Sequence, residues 1–249
     1  MAVPQNAVNG AAGDDSRLAP TKQQIFRSAL ELFAQQGYDA TSARQLAARV
    51  GIEAGSLYNH ISSKQDLLFQ LIQKATYDLI VTVSAEIEAA GADPVERLAA
   101  GVRAHVIFYC VNSTQALVGE RELRALTPEN FAETRKQRDE YEALFIGILE
   151  EGMRRGLFRP LDSHTICFGI LGLSNVALWY SPGGRLTDAE IADSYADFVM
   201  RAVLAPAALR KWVRRRDRQS GKSSRIRRPM IIRWMSAVPS PISSIGASR

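Results

Sequence analysis

Residues 41–68, TSARQLAARVGIEAGSLYNHISSKQDLL, decide the fold of this chain. They predict a helix that begins at Thr41 or Ser42, because both residue types are preferred N-caps. Gly51 is expected to end it, since glycine adopts the left-handed conformation of a tight turn without steric cost. A second short helix is predicted to begin near residues 53–55, and the pair makes a helix-turn-helix. Its inward apolar residues are Leu46, Ala47, Val50, Leu57 and Ile61.

Longer helices are predicted on both sides of this pair. The preceding helix opens at Pro20 and ends at Gly37, and its apolar face consists of Ile25, Ala29, Leu32 and Phe33. The following helix is expected to begin after Ser62 and Ser63 and to end by Gly91. The helix-turn-helix therefore shares a small core with the first helix.

The outward face of the second short helix has the composition of a DNA-binding surface. Small residues at its start, Ala54, Gly55 and Ser56, let the backbone come close to DNA. Tyrosine, asparagine and histidine follow at residues 58–60 and supply hydrogen bonds to phosphates and base edges. Six basic and three acidic residues lie between Arg17 and Lys64, which gives the sign needed to approach phosphates. An ordinary three-helix packing unit with a polar surface is the alternative interpretation.

The composition is that of a globular protein, with 46% apolar residues in a chain of 249. No apolar run approaches the roughly 20 residues of a membrane helix, and the N-terminus lacks the features of a secretory signal, so we expect a cytoplasmic protein. Cys110 and Cys167 are expected to be free thiols rather than a disulfide. With three histidines and no CxxC motif, the sequence predicts no metal site and no cofactor.

Charge divides the chain unevenly. From Ala205 onward there are twelve Lys and Arg residues against one acid, whereas residues 1–204 carry nineteen basic and twenty-five acidic residues. We expect a disordered N-terminus at 1–16, a helix-turn-helix domain at 17–64 and a helical effector-binding and dimerisation domain at 65–204. A basic, disordered tail is expected at 205–249.

The C-terminal body is predicted to be helical throughout, so the fold class is all-α. Helices are expected after Pro94 and Pro128, after Asp162 or Ser163, and after Thr187, with the turn SPGG at 181–184. The last two helices are apolar on more than one side. Such helices suit packing both on their own body and on a second copy of the chain.

The stretch from Thr21 to Leu68 resembles the N-terminal domain of the tetracycline-repressor (TetR) family of bacterial regulators, with the matching features in IFRSALELFAQQGYDATSARQLAARVGIEAGSLYNHISSKQDLL. Ile61 is a small departure, since relatives often have phenylalanine there. The resemblance implies a homodimer on a palindromic double-stranded DNA operator, with the third helix in the major groove. By position, Ser42 and Arg44 lie near the phosphate backbone. The resemblance places Gly55, Ser56 and Asn59 at bases and Tyr58, His60 and Lys64 at phosphates.

The stretches GERELRALTPENF at 119–131 and ALWYSPGGRLTDAEIADSYADF at 177–198 resemble the TetR subgroup that controls steroid and fatty-acid breakdown. Effectors of that subgroup are acyl-CoA thioesters, so the resemblance implies a small apolar effector, an acyl-CoA among the candidates. The apolar pocket is implied by the family, and its candidate residues are Phe108, Tyr109, Phe145, Asn175, Trp179 and Tyr180. Arg121 and Arg124 are candidates for the phosphates of coenzyme A. Core packing for the aromatic residues, and surface ion pairs for the arginines, are the alternatives.

The predicted function is a ligand-responsive transcriptional repressor. An enzyme is one alternative, although no nucleophile–base pair, ligand cluster or phosphate loop is recognisable and no catalytic residue is predicted. A helical interaction protein without DNA affinity is the other, against which the GSLYNH stretch and Lys64 argue.

Overall fold

The computed structural model describes residues 20–173 and 185–220, and the regular structure there is helical. The helices are α1 Pro20–Gln36, α2 Ala43–Val50, α3 Ala54–Leu57, α4 Lys64–Ala89, α5 Pro94–Val111, α6 Ser113–Arg121, a 3-10 helix Leu123–Ala125, α7 Pro128–Arg154, α8 Ser163–Gly172, α9 Asp188–Val203 and α10 Pro206–Ser220. One isolated antiparallel bridge joins Phe158 and Leu204. The predicted all-α class is confirmed. Residues 1–16 and the SPGG turn lie outside the described residues.

The chain forms two compact units. In the part that the structure describes, the first comprises residues 20–81 and 112–141, and the second comprises 82–111, 142–173 and 185–220. The division falls inside α4 and α7 as well as between α5 and α6. The predicted boundary between residues 64 and 65 separates the DNA-binding residues from the effector-binding and dimerisation residues. It stays a prediction.

The first unit is built on the predicted apolar faces of α1 and α2. Ile25, Phe33 and Leu46 are fully buried. Ser42 is the N-cap of α2, because its side chain accepts from the Gln45 amide while the Gln45 side chain accepts from the Ser42 amide. Thr41, the other candidate, is buried and donates its hydroxyl to the carbonyl of Gly37 at 2.8 Å. Ser42 therefore caps α2, whereas Thr41 fixes the loop between α1 and α2. We call this loop, together with the start of α4, the α1–α2 corner.

The turn between α2 and α3 is tight, as predicted. Gly51 has a φ of 73°, the left-handed conformation that side-chain-bearing residues rarely adopt. Its amide and that of Ile52 donate to carbonyls at the end of α2, at 3.2 Å and 3.0 Å. The small side chain of Ala47 is 1% exposed. Gly51 thus ends α2, and only two residues separate it from the start of α3 at Ala54.

The second unit contains α5 and α9 packed against each other through Val106, Ile191 and Ala192. Asp162 caps α8 through the Thr165 amide, and Thr187 caps α9 in a reciprocal capping box with Glu190. Cys110 and Cys167 are free thiols, as expected.

The connection from α9 to α10 is fixed to the chain that follows α7. The amide of Arg159 donates to the carbonyl of Val203 at 2.8 Å, and the amide of Ala205 donates to that of Leu157 at 2.9 Å. Phe158 packs on Gly152 so closely that a Cβ at Gly152 would lie 2.1 Å from the ring. Glycine is therefore required at residue 152.

The expectation of a disordered tail from residue 205 is wrong for residues 206–220, which form α10. Trp212 is 6% exposed, and its indole N–H donates to Oδ1 of Asp197 on α9 at 3.1 Å. Arg216 reaches the same carboxylate oxygen at 3.4 Å, and Arg215 pairs with Glu96 on α5. Arginine favours helices, and these contacts hold the helix in place. Residues 221–249 lie outside the described residues.

Replacing Trp212 tests this docking. Trp212→Ala removes a buried aromatic side chain and should lower the free energy of unfolding by about 3 kcal/mol. Trp212→Phe keeps most of the packing and loses the indole donor, so about 1 kcal/mol is expected. Urea unfolding of the full-length protein measures both. Equal stability of the alanine variant and the wild type would show that α10 is not held by this side chain.

Candidate nucleic-acid interface

Helix α3 is one turn long, and a tighter turn extends it. After Leu57 the amides of Tyr58, Asn59 and His60 donate to the carbonyls three residues before them, at 3.3, 3.2 and 3.0 Å. Leu57 is fully buried and Ile61 is 4% exposed, so both predicted inward residues do lie inward. The residues between them are consequently turned away from the core.

The predicted DNA-contacting residues of α3 share this outward surface. Tyr58 is 55% exposed, so its ring and hydroxyl are open to solvent. Gly55 and Asn59 are exposed, while Ser56 and His60 are half-buried. The surface carries one amide, two hydroxyls and an imidazole, groups that both donate and accept hydrogen bonds. It is chemically suited to phosphates and base edges.

Two further predicted residues lie at the start of α2. Ser42 and Arg44 are exposed. The hydroxyl of Ser42 is engaged in the cap, at 3.2 Å from the Gln45 amide. On the same helix, Arg49 is fixed by a 2.8 Å ion pair with Glu31 of α1. Arg44 thus presents its charge on the outer side of α2.

Lys64 makes contacts within the first unit that the sequence did not predict. Its ammonium group donates to the backbone carbonyls of Tyr38 at 2.9 Å and Thr41 at 2.8 Å, and lies 4.0 Å from the centre of the Tyr38 ring. Two of its three N–H donors are used within the unit, so at most one is left for a phosphate oxygen. The predicted phosphate contact stays a prediction, and the structure adds a positioning function: Lys64 ties the loop before α2 to the start of α4.

Gln65 and Tyr38 complete the α1–α2 corner and were not singled out from the sequence. The side-chain amide of Gln65 donates to the carbonyl of Ala125 at 2.7 Å and reaches the Tyr38 hydroxyl at 3.4 Å. Burial, and secondarily the charge of Asp39, raise the pKa of Tyr38, so its hydroxyl stays protonated at neutral pH. Long-range hydrogen bonds of this kind leave no periodic signal in a sequence.

Three of the predicted effector residues lie in one aromatic cluster of the second unit. Phe108 is 8% exposed and its ring lies 6.2 Å from that of Tyr109, while Phe145 is fully buried. His105 stands between them, with ring centroids 4.8 Å from Tyr109 and 6.3 Å from Phe145. Burial lowers the pKa of His105 to about 4, against a smaller opposing effect of its hydrogen bond to Leu171, so it is a neutral imidazole. No pattern in the sequence marks His105 as a buried polar residue.

The other effector candidates belong to the first unit or fall outside the described residues. Arg121 and Arg124 belong to the first unit and are exposed, and Arg121 pairs with Glu122 at 3.7 Å. Asn175, Trp179 and Tyr180 fall outside the described residues. The effector assignments therefore stay predictions. Among the helices of residues 20–173 and 185–220, none is both long and apolar enough to cross a membrane.

The chain is similar to known regulators along most of its length. It matches the family described as bacterial regulatory proteins, tetR family, over residues 25–71, and the tetracyclin repressor-like C-terminal domain over residues 91–203. It is 29% identical over 198 residues to the HTH-type transcriptional repressor KstR2 of Rhodococcus jostii strain RHA1, covering 78% of this chain and 97% of the relative.

Two solved structures extend the comparison. The TetR family regulator PfmR from Thermus thermophilus is 30% identical with a TM-score of 0.66, over 71% of this chain and 97% of PfmR. AibR, solved in complex with isovaleryl coenzyme A and operator DNA, is 28% identical with a TM-score of 0.66, over 72% of this chain and 97% of AibR.

An outward polar surface on a short helix, held by a glycine turn against a preceding helix, defines a helix-turn-helix DNA-binding regulator. The chain belongs to the TetR family of bacterial transcriptional regulators. The predicted family is confirmed.

The position of Lys64 predicts that its main effect is on stability. Lys64→Met keeps the alkyl stem but leaves two carbonyls without a donor. The free energy of unfolding should fall by about 1 to 2 kcal/mol. This is the lower part of the range for hydrogen bonds to charged groups, because Lys64 is half-exposed. Urea unfolding in the absence of DNA measures it. Arg44→Met removes an exposed cation and serves as the control, with unchanged stability expected. Wild-type stability of Lys64→Met would contradict the positioning function.

Proposed function

We propose that the protein is a repressor that binds a palindromic operator as a homodimer and is released from it by a small apolar effector. Its place of action is then the cytoplasm, where the bacterial chromosome lies. The observation that carries the proposal is the outward face of α3, where Tyr58 and Asn59 are exposed while Leu57 is fully buried. No catalytic step forms part of this function.

Dimerisation is supported by the apolar surface of α8 and α9. Phe168 on α8 is 58% exposed and Phe198 on α9 is 63% exposed, which is unusual for phenylalanine. Phe198 follows Tyr195 by three residues, and Ala202 comes four residues later, so α9 carries a second apolar stripe beside its buried one. We assign this stripe to a twofold interface, in which the same patch of both subunits meets.

The proposed DNA contacts divide into two kinds. Arg44, Tyr58 and His60 are assigned to phosphates, together with the remaining donor of Lys64, and Ser42 lies beside them. Gly55, Ser56 and Asn59 are assigned to the bases. Phosphate contacts set position and salt dependence, whereas base contacts set sequence preference.

We assign the effector to the class of acyl-CoA thioesters. An acyl-CoA combines an apolar tail with several phosphate charges, so its site needs apolar walls and basic groups at the mouth. The aromatic cluster of Phe108, Tyr109 and Phe145 supplies apolar surface, with the neutral His105 as a polar group among the rings. Arg121 and Arg124 are exposed cations, and Asn175, Trp179 and Tyr180 complete the proposed set. AibR, whose structure contains isovaleryl coenzyme A, supports this effector class.

Operator binding is tested with two substitutions on α3. Tyr58→Phe removes an uncharged phosphate donor and should weaken binding to all duplexes about equally, with the slope of log Kd against log salt unchanged, because a neutral hydroxyl releases no counterion. Asn59→Ala should instead change sequence preference, with about 1–3 kcal/mol lost at one base pair of each half-site. Fluorescence anisotropy with the promoter duplex and its single-base variants measures both.

Thermal unfolding of each variant provides the control, because both residues are exposed and neither substitution should change it. The proposal fails if the double variant Tyr58→Ala/Asn59→Ala binds the promoter as tightly and as selectively as the wild type.

Effector release is tested by adding a panel of acyl-CoAs of increasing chain length to the operator complex. A 100-fold loss of operator affinity needs a coupling free energy of about 2.7 kcal/mol, within the usual range. Because coupling is reciprocal, operator DNA should weaken acyl-CoA binding by the same factor. Calorimetry with and without DNA checks this equality.

Phe145→Leu keeps an apolar core residue and should weaken the response to the thioester in protein that thermal unfolding shows to be folded, whereas Phe131→Leu, at an exposed residue of α7, should not. Release by an unrelated planar compound but by no thioester would refute the effector class and leave the repressor mechanism intact.

A further inference from the structure

Helix α10 lies beyond the part of the chain that the family comparison covers. The C-terminal family domain ends its match at residue 203, and α10 begins at Pro206. It lies outside the helix-turn-helix and outside the predicted effector residues. Its function therefore has to be inferred from its own residues.

The two faces of α10 differ in what they contact. The inner face carries Trp212 and Arg216, both held by Asp197, and Arg215 beside it pairs with Glu96. Burial acts to raise the pKa of Asp197, but hydrogen bonds from Arg201 and Trp212 and the charges of Arg216 and Arg201 lower it below its ordinary value. The carboxylate is ionised at neutral pH and anchors this face.

The outer face is a row of exposed cations. Arg210, Lys211 and Arg214 are all exposed, and none has a carboxylate partner within the described residues. Arg210 and Arg214 are four residues apart, so they lie on neighbouring turns about 6 Å apart along the helix axis. Like charges at this spacing destabilise a helix in isolation. An anionic partner would remove that repulsion.

Helix α10 is basic, whereas the rest of its unit is acidic. Residues 82–111 and 142–204 of the second unit carry twelve acidic and seven basic residues, whereas residues 206–220 carry six basic residues and one acidic residue. An anionic partner is repelled by most of this unit and attracted at α10. We propose that the outer face of α10, defined by Arg210, Lys211 and Arg214, binds the phosphate backbone of duplex DNA without regard to sequence.

Duplex DNA fits this surface better than a compact anion. It presents one charge per about 1.7 Å of its axis, so a row of cations can be neutralised along its length. Two of the three cations are arginines, whose planar guanidinium groups make paired hydrogen bonds to phosphate oxygens. The surface contributes affinity for any duplex.

The test uses the full-length protein and a random duplex without an operator. The variant Arg210→Gln/Lys211→Gln/Arg214→Gln keeps good helix formers and removes three charges. The slope of log Kd against log salt should fall by about one for each phosphate that the variant no longer binds. Arg135→Gln/Lys136→Gln/Arg154→Gln removes three exposed charges elsewhere and should leave the slope unchanged. Arg210→Lys/Arg214→Lys keeps the charges and should keep most of the slope.

Two outcomes of the DNA titrations would overturn the proposal. One is a wild-type slope in the glutamine variant when unfolding experiments show that α10 remains docked. The other is an equal loss in both glutamine variants, which would indicate a general effect of net charge. Binding to phosphatidylserine vesicles that disappears in the α10 variant, with random-DNA binding unchanged, would likewise assign the surface to membranes instead. Because the duplex lacks an operator, the result is independent of the proposed repressor function.

Discussion

The burial of Leu57 is the constraint on which the DNA-binding surface depends. A helix of one turn has no stability of its own in water, since the first turn fixes several residues for one hydrogen bond. Leu57 is fully buried, and Ile61 follows at 4% exposure, so tertiary packing holds the turn that local hydrogen bonding could not. Gly51 sets the direction from which α3 enters. The orientation of Tyr58 and Asn59 follows from these two anchors.

A second set of contacts fixes the α1–α2 corner behind this surface. The Ser42 cap starts α2, Thr41 is buried one residue earlier, and the Lys64 ammonium binds the carbonyl of Thr41. A cation used in this way holds the segment from which α2 begins. In this chain Lys64 is thus a structural residue as much as a charge.

The helical elements of the described residues could largely be predicted from the sequence, because they depend on local signals. Apolar spacing predicted α1 and α2, and short polar residues or glycines marked where helices begin and end, as at Asp162, Thr187 and Gly51. Each of these signals acts within a few residues of the chain. The same locality explains why the exposed face of α3 was identified in advance.

Features that depend on distant residues were missed. Helix α10 has three apolar residues at helical spacing, Leu209, Trp212 and Val213, among six basic ones, and the high charge dominated its interpretation. Its docking depends on the burial of Trp212 and on contacts with Glu96 and Asp197, which lie on other helices. The inward direction of Lys64 likewise depends on carbonyls more than twenty residues earlier. The buried His105 could not be recognised as such, since its burial comes from packing within the unit.

Within the first unit, the proposed effector arginines lie close to the α1–α2 corner that positions α2. Arg124 precedes Ala125, whose carbonyl accepts a hydrogen bond from Gln65 at 2.7 Å. The residue before Gln65 is Lys64, which donates to the carbonyl of Thr41 at 2.8 Å. Thr41 is next to Ser42, the N-cap of α2. A hydrogen bond contributes about 1 kcal/mol, and more when one partner is charged. The coupling needed for a 100-fold change in operator affinity, about 2.7 kcal/mol, has the size of two or three such bonds. A ligand that engages Arg124 therefore needs to disturb only this short chain of contacts to alter how α2 and α3 meet DNA.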